Sequence, residues 1–323
     1  MLGKVKITAR AASISPKPME FLVNAGCEVD FKPTVAGVGE EWLIEQVRDA
    51  DGLICGMEAI TPRVVDSAPR LKVIARTGVG YDTVDVAAAT RRGIPVCNTP
   101  GANDQSVADF TIGLMIAVAR RIIDGNEVCQ QRQWDRIVGV EVWNKTLAII
   151  GLGRIGKAVA IRARGFDMRV LAVDVIHDEA FAAKYGVEYV RLEQALREAD
   201  YISLNTPHLP ETENLINERT IALMKPSAYL INTARGGLVD ERALAEAVKS
   251  KRIAGAAVDA LREEGVNSSS PLIGVPGIIV TPHMAAYSFE AMERMAMVAA
   301  ENVVAVLKGE RAPNAVNPEV YQQ

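Results

Sequence analysis

The most constraining feature of the chain is the run Thr146-Leu147-Ala148-Ile149-Ile150-Gly151-Leu152-Gly153-Arg154-Ile155-Gly156. Its aliphatic start predicts a buried strand, and glycines spaced Gly-x-Gly-x-x-Gly predict a tight turn opening a helix. In that pattern Gly151 permits the turn, Gly153 lets the backbone approach a pyrophosphate, and Gly156 lets the helix pack on the strand. The N–H groups of Arg154 and Ile155 would then face the phosphates at the positive end of the helix. A second strand candidate, residues 169–174, ends on Asp174, eighteen residues beyond Gly156. That is close to the ~20 at which a carboxylate reaches a ribose 2′-hydroxyl. Asp174 favours NAD over NADP, because its charge repels a 2′-phosphate and no arginine follows in Val175-Ile176-His177.

Short apolar runs alternate with amphipathic stretches on both sides of this motif. Strands are expected at residues 5–8, 28–31, 52–55, 72–75 and 95–98, then at 146–150, 169–174, 201–205, 228–232, 255–259 and 278–281. Helical patterns separate most of them, which predicts parallel sheets covered by helices. At 323 residues the chain exceeds one typical core and suits two domains. The six later strands, following a nucleotide motif, predict a doubly wound domain. Residues 104–121 read as a helix apolar all round, hence buried, and are expected between domains or in an oligomer interface. The last helix is expected at about 288–307, with residues 311–318 as an extended strap.

Charge and composition exclude several partners. A formal net charge of −4 gives no basic footprint for nucleic acid or an anionic membrane surface. Four scattered cysteines form no metal-ligand spacing and no disulfide framework, so no metal is expected. The longest apolar run, residues 110–119, is too short to span a bilayer, and Lys4, Lys6 and Arg10 interrupt any signal-peptide pattern. A cytoplasmic protein is expected.

Three strand ends carry chemistry. Arg235 follows the strand ending at Asn232, Glu264 follows the one ending at Asp259, and His283 stands at the end of the last. Ligands of open α/β sheets bind at the carboxyl ends of strands, so a cation, a carboxylate and an imidazole point to one crevice. Hydride transfer at a 2-hydroxy acid needs such a set. A guanidinium holds the substrate carboxylate and polarises the carbonyl. An imidazole exchanges the hydroxyl proton, and a carboxylate orients it and favours its charged form. Of the other two histidines, His177 reads as a surface or adenine-edge residue and His208 as a neighbour of the cofactor edge.

The stretches Gly78-Val79-Gly80-Tyr81-Asp82-Thr83-Val84-Asp85, Asn98-Thr99-Pro100-Gly101-Ala102-Asn103, Leu152–Gly156, Asn232–Asp240 and Thr281-Pro282-His283 resemble the D-isomer-specific 2-hydroxyacid dehydrogenases over about residues 50–320. The resemblance implies an α/β fold of two doubly wound parallel-sheet domains. An NAD-binding Rossmann domain, residues 101–286, would be inserted into a flavodoxin-like substrate domain formed by 1–100 and 287–323. It implies that Arg235 anchors the substrate, Glu264 pairs with His283, and His283 is the acid/base. Cofactor contacts would fall at Val79, Gly151, Gly153, Arg154, Ile155, Gly156, Asp174, Thr206, Thr233, Ala234, Arg235 and Asp259. Val79, Gly80, Arg235 and His283 would bind a small 2-hydroxy or 2-keto acid. A homodimer is implied as well.

The chain departs from the family pattern at three places, one of them Met284-Ala285-Ala286 after His283, where relatives usually read Ile-Gly-Gly or Ile-Gly-Ser. Relatives usually read Asp-Val-Phe-x-x-Glu-Pro where this chain has Asp259-Ala260-Leu261-Arg262-Glu263-Glu264-Gly265. The lost proline leaves Glu263 as a competitor to Glu264, although the interval of 29 residues from Arg235 favours Glu264. The chain looks most like short D-3-phosphoglycerate dehydrogenases, but their phosphate-holding Arg-Ser is replaced by Gly56-Met57-Glu58. A general 2-hydroxy acid, of glyoxylate or hydroxypyruvate type, is therefore expected ahead of phosphoglycerate. An NAD(H)-sensing interaction protein of the same fold remains the alternative, and formate or phosphite chemistry a further one.

Overall fold

The computed structural model describes residues 1–34 and 39–322. The chain forms two units, Met1–Asn103 with Ala286–Gln323, and Asp104–Ala285.

The first unit opens with β1 (Gly3–Ile7), α1 (Lys17–Asn24), β2 (Cys27–Phe31), α2 (Glu40–Val47) and β3 (Gly52–Cys55). It continues with α3 (Pro62–Asp66), β4 (Val73–Arg76), α4 (Val86–Arg91) and β5 (Val96–Cys97). All pairings are parallel, in the order β2-β1-β3-β4-β5. Every residue of β3 and β4 is buried, as parallel strands covered on both faces require. Local chemistry starts the helices. The Thr61 hydroxyl accepts from the Val64 N–H, and the Asp85 carboxylate from the Ala88 N–H, satisfying first-turn donors.

The second unit begins with α5 (Asp104–Ala119) and α6 (Ile122–Gln130), then enters its sheet. The elements run β6 (Thr146–Ile150), α7 (Arg154–Ala163), β7 (Arg169–Val173), α8 (Glu179–Tyr185), β8 (Val187–Tyr189), α9 (Leu192–Glu198) and β9 (Tyr201–Leu204). They continue α10 (Glu218–Ile221), β10 (Tyr229–Asn232), α11 (Glu241–Lys249), β11 (Gly255–Val258) and β12 (Ile278–Val280). The parallel order β12-β11-β10-β9-β6-β7-β8 reverses between β6 and β9, which places the ligand crevice of such a sheet at the ends of those strands. The chain then returns to the first unit with α12 (Phe289–Leu307), which packs on α1, β3 and β4. Residues beyond it bridge the edge of β5, Cys97 pairing with Ala315 and the Val316 N–H donating to Val96 O at 2.8 Å.

One expectation needs correction. The sheet of the second unit has seven strands, not six. The extra strand β8 is three residues long with only Val187 buried, too short to show a periodic pattern. The apolar helix α5 lies on its own unit's sheet and against α7. It covers β10 and β11 on one side and meets α7 on another, which accounts for its buried apolar residues. The exposed apolar surface lies just after it. Ile122, Ile123, Trp134, Val138, Val140 and Trp143 are all exposed, and α6 buries none of its residues. Among the described residues no helix is long and apolar enough to cross a membrane.

Candidate active site

The glycine turn after β6 is shaped by close approach. Gly151 has φ +96°, and a Cβ there would stand 2.7 Å from the backbone of Asn205 and Thr206, at the end of β9. A Cβ on Gly156 would lie 2.1 Å from Gly151 O, so helix α7 seats directly on the turn. Gly153 differs: nothing lies within 4 Å of its would-be Cβ, leaving open space beside the first N–H groups of α7 at Arg154 and Ile155. At the end of β7, Asp174 accepts from the Leu152 N–H at 2.6 Å and the Ile176 N–H at 3.0 Å. A helix N-terminus with open space over a side-chain-free residue, and a carboxylate tied to the same turn, fit a dinucleotide.

The turn after β10 is built by Asn232, whose side chain is fully buried. Its Oδ1 accepts from the Ala234 N–H at 3.1 Å and its Nδ2 donates to Arg235 O at 2.9 Å, folding Thr233, Ala234 and Arg235 into a compact bend. Thr233 Oγ1 is hydrogen-bonded to Thr111 Oγ1 at 2.8 Å, and Arg235 donates to Ala234 O at 2.8 Å.

His283 follows β12 with φ +52°, a left-handed conformation in which histidine is more frequent than bulkier residues. The bend is held by Asp259, which is 2% exposed. Its carboxylate accepts from Thr281 Oγ1 at 2.6 Å, Met284 N–H at 2.9 Å and Ala285 N–H at 2.8 Å, while its carbonyl accepts from the His283 N–H at 2.9 Å. A buried carboxylate with that many donors fixes the loop that presents the imidazole. His283 Nδ1 lies 2.7 Å from Glu264 Oε1. Glu263 turns away, accepting from Ser269 Oγ at 2.7 Å. Geometry thus selects Glu264 as the imidazole's partner.

The remaining histidines stand elsewhere. His177 stacks on Tyr189 with ring centroids 3.9 Å apart, beside the end of β7. His208 is paired with Glu213, which holds that carboxyl below its ordinary range, with Arg262 as the second cause. Its ring covers Gly237, where a Cβ would come within 2.4 Å of it. In the first unit, Val79 O accepts from Asn98 Nδ2 at 2.8 Å, and Val79 and Gly80 are partly exposed past the end of β4. Glu58 accepts from the Gly56 N–H, and its other oxygen is buried without a hydrogen-bond partner. Among the described residues no cluster of His, Cys, Asp or Glu forms a metal site.

Sequence reasoning missed the scaffolding groups. Asn232 carried a signal, since an asparagine at a strand end two residues before a bend favours an Asx-type turn. Arg262 carried none.

Residues 112–285 match the family model described as D-isomer specific 2-hydroxyacid dehydrogenase, NAD binding domain. The chain is 41% identical to a glyoxylate reductase from Korarchaeum cryptofilum, covering 91% of both chains. It is also 41% identical to a D-3-phosphoglycerate dehydrogenase from Methanocaldococcus jannaschii, over 92% of this chain and 57% of that one. In structure it resembles the TT0316 protein from Thermus thermophilus, with TM-score 0.88, 38% identity, and coverage of 97% and 99%. The chain belongs to the D-isomer specific 2-hydroxyacid dehydrogenase family. It is an NAD-dependent oxidoreductase acting on small 2-hydroxy and 2-keto acids.

Proposed function

We propose that the enzyme reduces a small, unphosphorylated 2-keto acid of glyoxylate or hydroxypyruvate type, with Arg235, Glu264 and His283 as its catalytic group. The observation that carries the reading is the 2.7 Å contact between His283 Nδ1 and Glu264, on a loop clamped by Asp259. Glu264 fixes Nδ1 as the proton-bearing nitrogen facing the carboxylate and leaves Nε2 for the substrate oxygen. When bound at the Gly151–Gly156 turn, the cofactor supplies or accepts the hydride at C2 of the acid. In the reducing direction Nε2 of the imidazolium gives its proton to the C2 oxygen, and Glu264 stabilises the charged ring until then. Arg235, on its Asn232-built bend, holds the substrate carboxylate. Gly151, Gly153, Arg154, Ile155, Gly156, Asp174, Thr206, Thr233, Ala234 and Asp259 hold the dinucleotide.

Glu58 supports an unphosphorylated substrate. Its buried unpaired oxygen occupies the loop where phosphate-binding members carry Arg-Ser, and a dianion beside it would meet like charge. The phosphoglycerate dehydrogenase relative supports the second reading, in which 3-phosphohydroxypyruvate is the substrate. The enzyme is a cytoplasmic homodimer in this reading, associating through the apolar surface of residues 122–143. Rates of NADH and NADPH oxidation with glyoxylate, hydroxypyruvate and 3-phosphohydroxypyruvate test these assignments. Glyoxylate or hydroxypyruvate with NADH should give the highest kcat/KM, and His283→Ala should abolish turnover while NADH still binds. A strong preference for the phosphorylated acid would reverse the choice of substrate.

A further inference from the structure

Gly265 adopts φ +116°, a conformation closed to proline, whose ring holds φ near −65°. The loop carrying Glu264 therefore lacks the ring that stiffens it in the family pattern, and something else must hold the carboxylate against His283. The guanidinium of Arg262 sits at the root of that loop. Its Nε donates to Val239 O at 3.1 Å, and one terminal nitrogen donates to Gly237 O at 2.9 Å and Asn214 Oδ1 at 2.6 Å. The same nitrogen is 2.8 Å from Glu213 Oε1, the carboxylate that also pairs with His208. The Arg262 N–H donates to Glu241 Oε1 at 2.7 Å, and Glu241 Oε2 accepts from Ser270 Oγ at 2.6 Å.

These contacts join three strand-end segments: the loop after β9, the turn after β10, and the loop after β11. The join is tight. A Cβ on Gly236, the residue after Arg235, would fall 2.1 Å from Leu261 C and 2.3 Å from Arg262 N. The turn that begins at Arg235 therefore rests on the backbone that leads to Glu264.

We propose that Arg262 is a positioning residue for the acid/base pair, clamping the Glu264 loop onto the Arg235 turn in place of the missing proline. The inference rests on the reading of Glu264 as the partner of His283. A planar guanidinium is suited to the task, because its fixed fork can satisfy two carbonyls, an amide and a carboxylate together. His283 meets the Glu264 carboxylate through its side chain and the Asp259 carbonyl through its backbone. Arg262 acts on the first of these alone.

The test uses the full chain and four variants: Arg262→Ala, Arg262→Lys, Glu264→Gln, and Arg262→Ala combined with Glu264→Gln. For each, kcat and KM for glyoxylate are measured across pH, with the Kd for NADH from fluorescence titration. Arg262→Ala should lower kcat about tenfold, within the hundredfold that a misplacement of about 1 Å can cost. The Kd for NADH should stay within about twofold, because β10 and β9 stand between β11, the strand before Arg262, and β6 with its glycine turn. Arg262→Lys should recover only part of the loss. The double variant should be no slower than Glu264→Gln alone, the signature of two residues acting through one contact. If Arg262→Ala fails to fold, Glu213→Gln removes one arm of the clamp and should lower kcat by a smaller factor. Unchanged kcat in Arg262→Ala or its substitute, or losses that multiply in the double variant, overturn the proposal. A fully active Glu264→Gln would instead refute the acid/base reading itself, and the proposal with it.

Discussion

Two glycines of one turn should respond oppositely to the same added methyl group. At Gly156 a Cβ would lie 2.1 Å from Gly151 O and 3.1 Å from Ile149 Cγ2, so α7 must move by about 1 Å to restore van der Waals contact. The neighbour is backbone of a turn wedged against Asn205 and Thr206, which cannot simply swing aside. Overpacking of this kind costs roughly 1–3 kcal/mol. In a chain of this size each kcal/mol lowers Tm by roughly 2–4 °C, so Gly156→Ala should melt about 2–12 °C early. At Gly153 the same Cβ meets nothing within 4 Å, and φ is −71°, which alanine accepts. Reduced freedom of the unfolded chain, worth about 0.4–1 kcal/mol, is set against alanine's weaker performance at a helix N-cap. Gly153→Ala should therefore keep its Tm within about 2 °C. It should nevertheless bind NADH at least tenfold more weakly, a loss of about 1.4 kcal/mol, because its methyl group projects into the space beside the helix N-terminus. Thermal melts and NADH fluorescence titrations on both variants decide the matter. A Gly153→Ala enzyme with unaltered NADH affinity would refute the assignment of that space to the cofactor. A Gly156→Ala enzyme as stable as the parent would refute the packing argument.

Three further outcomes are expected. Burial alone would raise the Asp200 carboxyl, but the Thr146 N–H and the Lys225 ammonium, each at 2.9 Å, outweigh it and hold the group below its usual range. A depressed folded value stabilises above the unfolded value and is lost as pH falls through the folded one. Asp200→Asn should thus cost about 2 kcal/mol at neutral pH and converge with the parent below about pH 4, read by melts across pH. Burial pushes the Cys97 thiol up to about 12 and raises Cys55 and Cys27 as well, while Cys129 is exposed. Only Cys129 should react with a thiol reagent at mildly alkaline pH before denaturant is added, and labelling of Cys97 in the folded protein would contradict this. The proposed homodimer should become a monomer in light scattering when Trp134→Glu is combined with Val138→Glu, since both side chains are more than four-fifths exposed in the single chain.

The parts of the protein legible in its sequence were those encoded by short-range pattern. The glycine turn after β6 and the carboxylate at Asp174 are a local signature, because turn geometry and helix termini depend on neighbouring residues. Aliphatic runs located most strands to within a residue or two for the same reason, the central ones being buried on both faces. The pattern failed at β8, whose three residues are too few to carry a period although Val187 is buried. Apolarity says that a helix is buried but not against what. Arg235, Glu264 and His283 were found as strand-end residues and by family resemblance, yet the choice between Glu263 and Glu264 depended on which carboxylate the loop turns toward the imidazole. Only the fold decided that. It also decided that Asp259 spends its carboxylate on the bend presenting His283, and that Arg262 gathers partners from residues 213, 214, 237 and 239. Such contacts join segments distant along the chain, and their geometry follows from the packing of strand ends rather than from any spacing between residues.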